Sequence, residues 1–344
     1  MKSITIKDIA KKCGVGVSTV SRAINNHPDI NEETKNMIMQ VIKENNFVPN
    51  SSARNLKLIQ TNNIAVLIKG IDNTFFQSMI KVFEKEIQSR KYTFMLHRVD
   101  SNQDEVEVAL QLIKEKKLKG IVFLGGCFSH DEKKLKQINV PFVLSTISMG
   151  DDVNRNLYSS VSVDDISESK KAIDCLCDYG HKKIAVLAAQ PWDKGISGLR
   201  IKGYKKSLVE RNIPIDENLI RYTLHDEDAF NMQNGYQLMK ELLESDEEFT
   251  AVFAISDSMA IGASKAILEA GKKIPEDYSV MGFDGLDIAY YYNPSISTIR
   301  QPVKEMAEET LNILFDLIEN NESNQHKLFS GELMIRQSIA RLDK

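Results

Sequence analysis

From Ile64 onward, short apolar runs alternate with segments of helical periodicity, and this alternation constrains the fold more than any other feature. IAVLI is followed by FFQSMIKVFEKEI, then YTFML and a helix reaching Lys116, then GIVFLGG and VPFVLS. The series restarts at SSVSVD, with a helix over 166–179, then KIAVLAA, a helix over 199–211, TAVFAIS and YSVMGFD. Strand–helix–strand repetition builds parallel sheets covered on both faces, so two series predict two doubly wound lobes. Ligands of open parallel sheets sit beyond the carboxyl ends of the strands, which makes a crevice between the lobes the default binding site.

The residues before Ile64 have a different texture. Residues 1–60 hold nine Lys and Arg against five Asp and Glu, a net of +4, while the whole chain carries −4 and the remainder therefore −8. A basic head on an acidic body suits a segment that meets phosphates. Three short helices are expected in it. Thr5 with Asp8 resembles a capping box, and Gly14 ends the first helix. A second runs over 17–25 with Val20, Ala23 and Ile24 inward, and a third starts at Asn31 and stops near Asn45. The small Ala10, left-handed Gly14 and the plug of Val15 with Val20 are what a helix-turn-helix needs. Its second helix would then turn Val17, Ser18, Ser21, Arg22 and Asn25 outward. Arg22 can bond guanine with two hydrogen bonds and Val17 can touch a thymine methyl. On spacing alone, a small helical bundle with no role in DNA binding remains the alternative. Pro49 breaks the pattern, and the polar NSSARNLKLIQTNN that follows reads as a linker.

The motifs TIKDIA, STVSRAIN, FVPN, ARNL, YGHKKIAVL, AISDSMAIGA, VMGFDG, PSISTIRQP and RQS stand in order along nearly the whole chain. This set resembles the lac/gal repressor family of bacterial transcription regulators. The resemblance implies an α/β protein with a three-helix headpiece at 1–49, a hinge at 50–61 and an effector-binding and dimerisation domain at 62–344. That domain is periplasmic-binding-protein-like, with one subdomain over about 62–161 and 293–323 and another over about 162–292 and 324–344. It implies base contacts from Val17, Ser18 and Arg22, and backbone contacts from Thr5, Ser21, Asn25 and Asn50. In the hinge, Leu56 would wedge into the minor groove while Ala53 lets two hinges pack. Gly16 stands where the family usually has a Ser cap, a substitution helices tolerate.

For the cleft the resemblance implies Arg200 in GLRIKGY, Asp284 at the end of VMGFD, Ser256 in AISDSMAIGA, and Phe75 with Phe76 in the first βα loop. Trp192, on the loop after KIAVLAA, can stack on the apolar face of a sugar or serve as a lid. Arginine's planar fork of donors suits paired hydroxyls. Two departures, Ser145-Thr146-Ile147 where relatives carry Asp-Arg and Thr74 where they carry Pro, are expected at the cleft rim. Effector identity therefore does not transfer from any relative.

The expected partners are palindromic double-stranded operator DNA, a small-molecule effector of sugar type, and a second copy of the chain, with a dimer of dimers left open. No cofactor or metal is expected. Walker, HExxH, GxSxG and strand-following GxGxxG motifs are missing from the sequence, and the six histidines have no ligand spacing. His181 reads as structural, and Cys13, Cys127, Cys175 and Cys177 as ordinary thiols. With no apolar run of spanning length and no apolar segment behind the basic N-terminal residues, a cytoplasmic protein is expected. Two rivals are weighed. A solute-binding protein shares the two-lobed body but has no use for a basic head, and a sugar enzyme lacks its catalytic constellation. A phosphoprotein corepressor, as in the catabolite control proteins, is disfavoured by Glu305, Glu308, Glu309 and Asp316 on the stretch where that docking helix is basic.

Overall fold

The computed structural model describes residues 4–24, 27, 29–45, 47, 62–71, 73–100, 102–126, 128, 130–147, 153–223 and 229–342. The chain divides into two units, Met1–Thr61 and Asn62–Lys344.

The first unit contains helices α1 (Ile6–Cys13), α2 (Val17–Ile24) and α3 (Glu32–Glu44). Local chemistry sets their ends. Thr5 and Asp8 form a capping box: the Thr5 N–H and hydroxyl donate to the Asp8 carboxylate at 2.9 and 2.7 Å, and Asp8 N donates back to Thr5 Oγ1 at 3.4 Å. Gly14 caps α1 in the left-handed region at φ 66°, its N–H turned to the carbonyls of Ala10 and Lys11. Asn31 caps α3 by accepting from Glu33 N at 2.8 Å. Ile9, Ala10, Val20, Ala23 and Ile38 form the buried centre, with Val15, Ile24, Ile42 and Phe47 packed around them.

The second unit holds two six-stranded sheets. In the first, β1 (Asn63–Ile68), β2 (Thr93–Arg98), β3 (Leu118–Leu124), β4 (Phe142–Ser145), β5 (Ser159–Val163) and β11 (His326–Phe329) lie in the order β11-β5-β4-β3-β1-β2, all parallel. Alternate residues of β1 serve opposite faces. Ile64, Val66 and Ile68 pack with α4 (Phe75–Ser89), whereas Ala65 and Leu67 pack with α5 (Glu105–Lys116) and α6 (Glu132–Leu135). Burial on both faces is why this strand reads as an unbroken apolar run.

The second sheet contains β6 (Ile184–Ala188), β7 (Ile220–Tyr222), β8 (Ala251–Ala254), β9 (Ser279–Asp284), β10 (Ser297–Arg300) and β12 (Glu332–Met334), ordered β12-β10-β9-β8-β6-β7. β12 runs antiparallel to β10, and the other pairs are parallel. Helices α7 (Asp165–Asp178) and α8 (Ile196–Glu210) pack on each other, as do α9 (Met232–Leu243) and α10 (Asp257–Glu269). The second pair approaches so closely that a Cβ on Gly262 would stand 1.9 Å from the Met232 carbonyl, and one on Gly235 2.2 Å from that of Met259. The short α11 (Asp287–Tyr291) follows β9, and α12 (Val303–Phe315) packs back on α4 and on β3, β4 and β5.

The lobe crossings differ from the sequence-based expectation. Residues 293–323 were expected in the first lobe, yet β10 pairs with β9 from Ser297↔Met281 to Arg300↔Asp284, so that crossing comes after Arg300. Residues 324–344 were expected in the second, yet β11 pairs with β5 from His326↔Ser160 to Phe329↔Val163. Ser162 and Val163 likewise end a first-lobe strand. Three- and four-residue strands carry too little periodicity to announce their sheet; β10 is held between β9 and β12, and β11 takes the edge beside β5.

Candidate functional site

In the headpiece, the burial of Val20 and Ala23 turns the opposite face of α2 outward. Val17, Ser18 and Arg22 are exposed there and Ser21 is half-buried. Arg22 Nη1 stands 3.9 Å from Asp29 Oδ2, with both side chains more than half exposed. Thr5 is exposed at the start of α1 with its hydroxyl engaged by Asp8. Asn25, Asn50, Ala53 and Leu56 lie outside the described residues.

In the second unit, the strand ends gather a buried charged cluster. Arg200, on the first turns of α8, is 4 % exposed. Its Nε donates to Asp165 Oδ1 at 2.8 Å, Nη1 donates to the Ile255 carbonyl, and Nη1 stands 3.5 Å from Asp284 Oδ1. The guanidinium lies 3.6 Å from the centre of the Phe283 ring. Asp284 ends β9 in the left-handed region at φ 119° and accepts from Gln301 Nε2 at 2.9 Å. Burial pushes its carboxyl up to about 6, against the pull of Arg200. Burial also raises Asp165, again opposed by Arg200.

Asp257 opens α10 beside this cluster. Its Oδ2 accepts from Leu286 N at 2.7 Å, and the carboxyl also interacts with the Thr298 hydroxyl. Burial, then the charge of Asp284, pushes it up to about 8. Folded protein thus holds a proton on Asp257 that the unfolded chain releases near pH 4, so this group's contribution is present at low pH and is lost as pH rises towards 8. His181 and His326, depressed by burial, act in the opposite sense only below their ordinary value of 6.5. Between pH 7 and 8 stability is therefore expected to fall by at most about 1.4 kcal/mol per proton per pH unit, and the melting temperature with it. Asp257→Asn should flatten that decline; an unchanged slope in calorimetry at the two pH values would refute the assignment.

The expected cleft residues divide. Arg200 and Asp284 come together, and Ser256 follows Ile255 on the same strand end. Its hydroxyl is occupied in capping α10, accepting from Met259 N at 3.1 Å and donating to the Phe230 carbonyl at 3.0 Å. Phe75 and Phe76 make an edge-to-face pair 5.5 Å apart and are buried in the core at the start of α4. Trp192 is 62 % exposed. The rim expected at Ser145-Thr146-Ile147 is corrected: Ser145 and Ile147 are buried, with Ser145 Oγ 3.1 Å from Thr310 Oγ1 of α12. Packing by α12, remote in sequence, covers this strand end. Thr146 itself sits in the left-handed region at φ 58°, with a buried hydroxyl that meets no partner among the described residues.

Sequence reasoning missed Asp165, Asp257 and Gln301. Asp257 and Gln301 stand inside the quoted motifs AISDSMAIGA and PSISTIRQP, a signal that was available. Asp165 was hidden by its neighbour, because Asp164 is the actual cap of α7, accepting from Ser167 N at 3.1 Å. His181 is structural as expected, bridging Thr250 Oγ1 and the Ala340 carbonyl at 2.9 and 3.1 Å. Cys13, Cys175 and Cys177 are free thiols, and Cys127 lies outside the described residues.

Residues 5–50 match the model of bacterial regulatory proteins of the lacI family, and residues 173–339 that of the periplasmic binding protein-like domain. The HTH-type transcriptional regulator MalR of Clostridium butyricum is 42% identical over 97% of this chain and 99% of its own length. The HTH-type transcriptional repressor PurR of Pasteurella multocida is 29% identical over 97% and 98%. Among solved structures, a transcriptional regulator CelR–cellobiose complex superposes with a TM-score of 0.71 at 26% identity, covering 97% of this chain and 99% of that one. An exposed second helix in the headpiece, two doubly wound lobes following it in the sequence and full-length relatives of regulatory function agree: the chain belongs to the lacI family of bacterial regulatory proteins and is a DNA-binding transcription regulator, not an enzyme.

Proposed function

We propose that this protein is a cytoplasmic, homodimeric repressor of carbohydrate-utilisation genes whose operator affinity is set by a sugar bound between its lobes. The buried Arg200–Asp165–Asp284 cluster at the strand ends carries this reading. Two carboxylates against one guanidinium offer hydroxyl groups both donors and acceptors, while an anionic effector would meet surplus negative charge. The cellobiose bound in the similar regulator is a ligand of that class. Trp192, exposed on its loop, supplies an aromatic face, and Phe75 and Phe76 close the apolar side.

Operator reading falls to Val17, Ser18 and Arg22 at base edges, with Thr5, Ser21, Asn25 and Asn50 on the backbone. The hinge at 50–61, with Leu56 as wedge and Ala53 at the packing point, would link reading to sensing. Effector need only bind one lobe arrangement more tightly than the other to shift the regulator between states.

A test begins by selecting operator from random duplex DNA and screening neutral sugars by thermal shift, since a ligand of the native state raises the melting temperature by mass action. A palindromic operator and at least one stabilising sugar are expected. Asp284→Ala should shift the sugar's dose–response on operator binding at least about tenfold, the equivalent of about 1.4 kcal/mol, with the fold intact. An unaltered dose curve would remove Asp284 from the site.

A further inference from the structure

The buried charged cluster is tied to two of the places where the chain passes from one lobe to the other. After β5 of the first sheet comes α7, which packs on β8 and β10 of the second, so one passage falls at Asp164 and Asp165. After β10 of the second sheet comes α12, which packs on β3, β4 and β5 of the first, so another falls at Gln301 and Pro302.

Arg200 joins the two. Its Nε donates to Asp165 Oδ1 at 2.8 Å, and its Nη1 stands 3.5 Å from Asp284 Oδ1. The same Asp284 oxygen accepts from Gln301 Nε2 at 2.9 Å, which leaves Oδ2 as the oxygen to offer a ligand. Gln301 is buried and holds Asp284 a second time through its main chain, its N–H donating to the Asp284 carbonyl at 3.1 Å. Both bonds bear on a residue whose φ of 119° is rare for an L side chain, a conformation that persists only where its surroundings over-determine it. The following Gly285 lies so close to β10 that a Cβ on it would stand 2.5 Å from Arg300 Cα. A ligand that engages Asp284 therefore acts on a carboxyl fastened, through one buried amide, to the strand end from which the chain enters the first lobe. Coupling between sites travels through contiguous hydrogen-bonded networks of this kind, provided that the ligand favours one arrangement over the other.

We propose that Gln301 is a positioning residue that passes effector occupancy at Asp284 to the lobe passage, and so sets how strongly sugar and operator affect each other. The inference rests on the inter-lobe reading of the effector site and adds to it a route of regulation.

The test compares the full-length protein with its Gln301→Met variant, which keeps the length of the side chain and removes the amide. D-ribose, D-glucose, maltose and cellobiose are the probes, titrated by calorimetry, and operator affinity is read by anisotropy with and without saturating sugar. The ratio of the two operator dissociation constants measures the coupling, which in regulated proteins is on the order of fivefold to 150-fold. Gln301→Met should bring that ratio to within about twofold of one, while sugar affinity and operator affinity, each measured alone, move by less than about fivefold. Gln301→Asn, whose amide is too short to reach Asp284, should do the same if Gln301→Met fails to fold. An unchanged ratio in a folded variant would overturn the proposal. So would a ratio restored by more sugar, which would make Gln301 a determinant of affinity alone, or the failure of both variants to fold, which would make it a packing residue. If none of the four sugars alters operator binding by the unsubstituted protein, or if Asp284→Ala leaves its response unaltered, the inter-lobe reading itself fails and this inference with it.

Discussion

Arg22→Ala is expected to abolish preference for operator over random DNA while leaving sugar binding and folding intact. A bidentate arginine–guanine contact discriminates by about 1–3 kcal/mol, and a dimer on a palindrome makes it twice, so operator affinity should fall by roughly 2–6 kcal/mol, about thirtyfold to over ten-thousandfold. Loss on random DNA should be far smaller, because one of several phosphate-facing cations is removed there. The fold should not respond. The Arg22 side chain is more than half exposed, and its ion pair with Asp29 spans 3.9 Å in solvent, where screening leaves little. Anisotropy titrations of selected operator and scrambled duplex at one salt concentration decide the matter. Equal losses on both would show Arg22 to be a phosphate contact, and the proposed set of base contacts would fail with it.

The second large effect is expected at Arg200→Ala. Asp165 and Asp284 are both under 5 % exposed, and the substitution would leave them buried without their cation. Breaking a buried pair from one side costs about 3–5 kcal/mol, and the stacking on Phe283 goes with it. The melting temperature should drop on the order of 10 °C. The sign of the pH dependence separates this from a packing defect. Without the guanidinium the two carboxyls are raised further still, so the folded variant binds protons that the unfolded chain releases, and its deficit should shrink from pH 8 to pH 5. Asp165→Asn in the same chain should restore part of the loss. A melting temperature unchanged at pH 8, or a deficit equal at both pH values, would mean that the cluster is not held by charge.

What could be read from the sequence was short-range. The Thr5–Asp8 box, the left-handed Gly14 and the Asn31 cap each act within three residues, so the headpiece helices and the outward face bearing Val17, Ser18 and Arg22 followed from spacing. The alternation of apolar runs and helices likewise determined two parallel sheets, because burial on both faces leaves strands no polar side. Only the tertiary structure decided which sheet received β10 and β11: β10 lies between β9 and β12, β11 takes the edge beside β5, and the path of the chain makes the choice. It also decided which side chains are buried together. Arg200 meets Asp165 across 35 positions and Asp284 across 84, Ser145 meets Thr310 across 165, and Ser160 meets His326 across 166. Capping and periodicity are written in near neighbours, whereas the balance of desolvation and charge at a site depends on groups that folding alone brings within hydrogen-bonding distance.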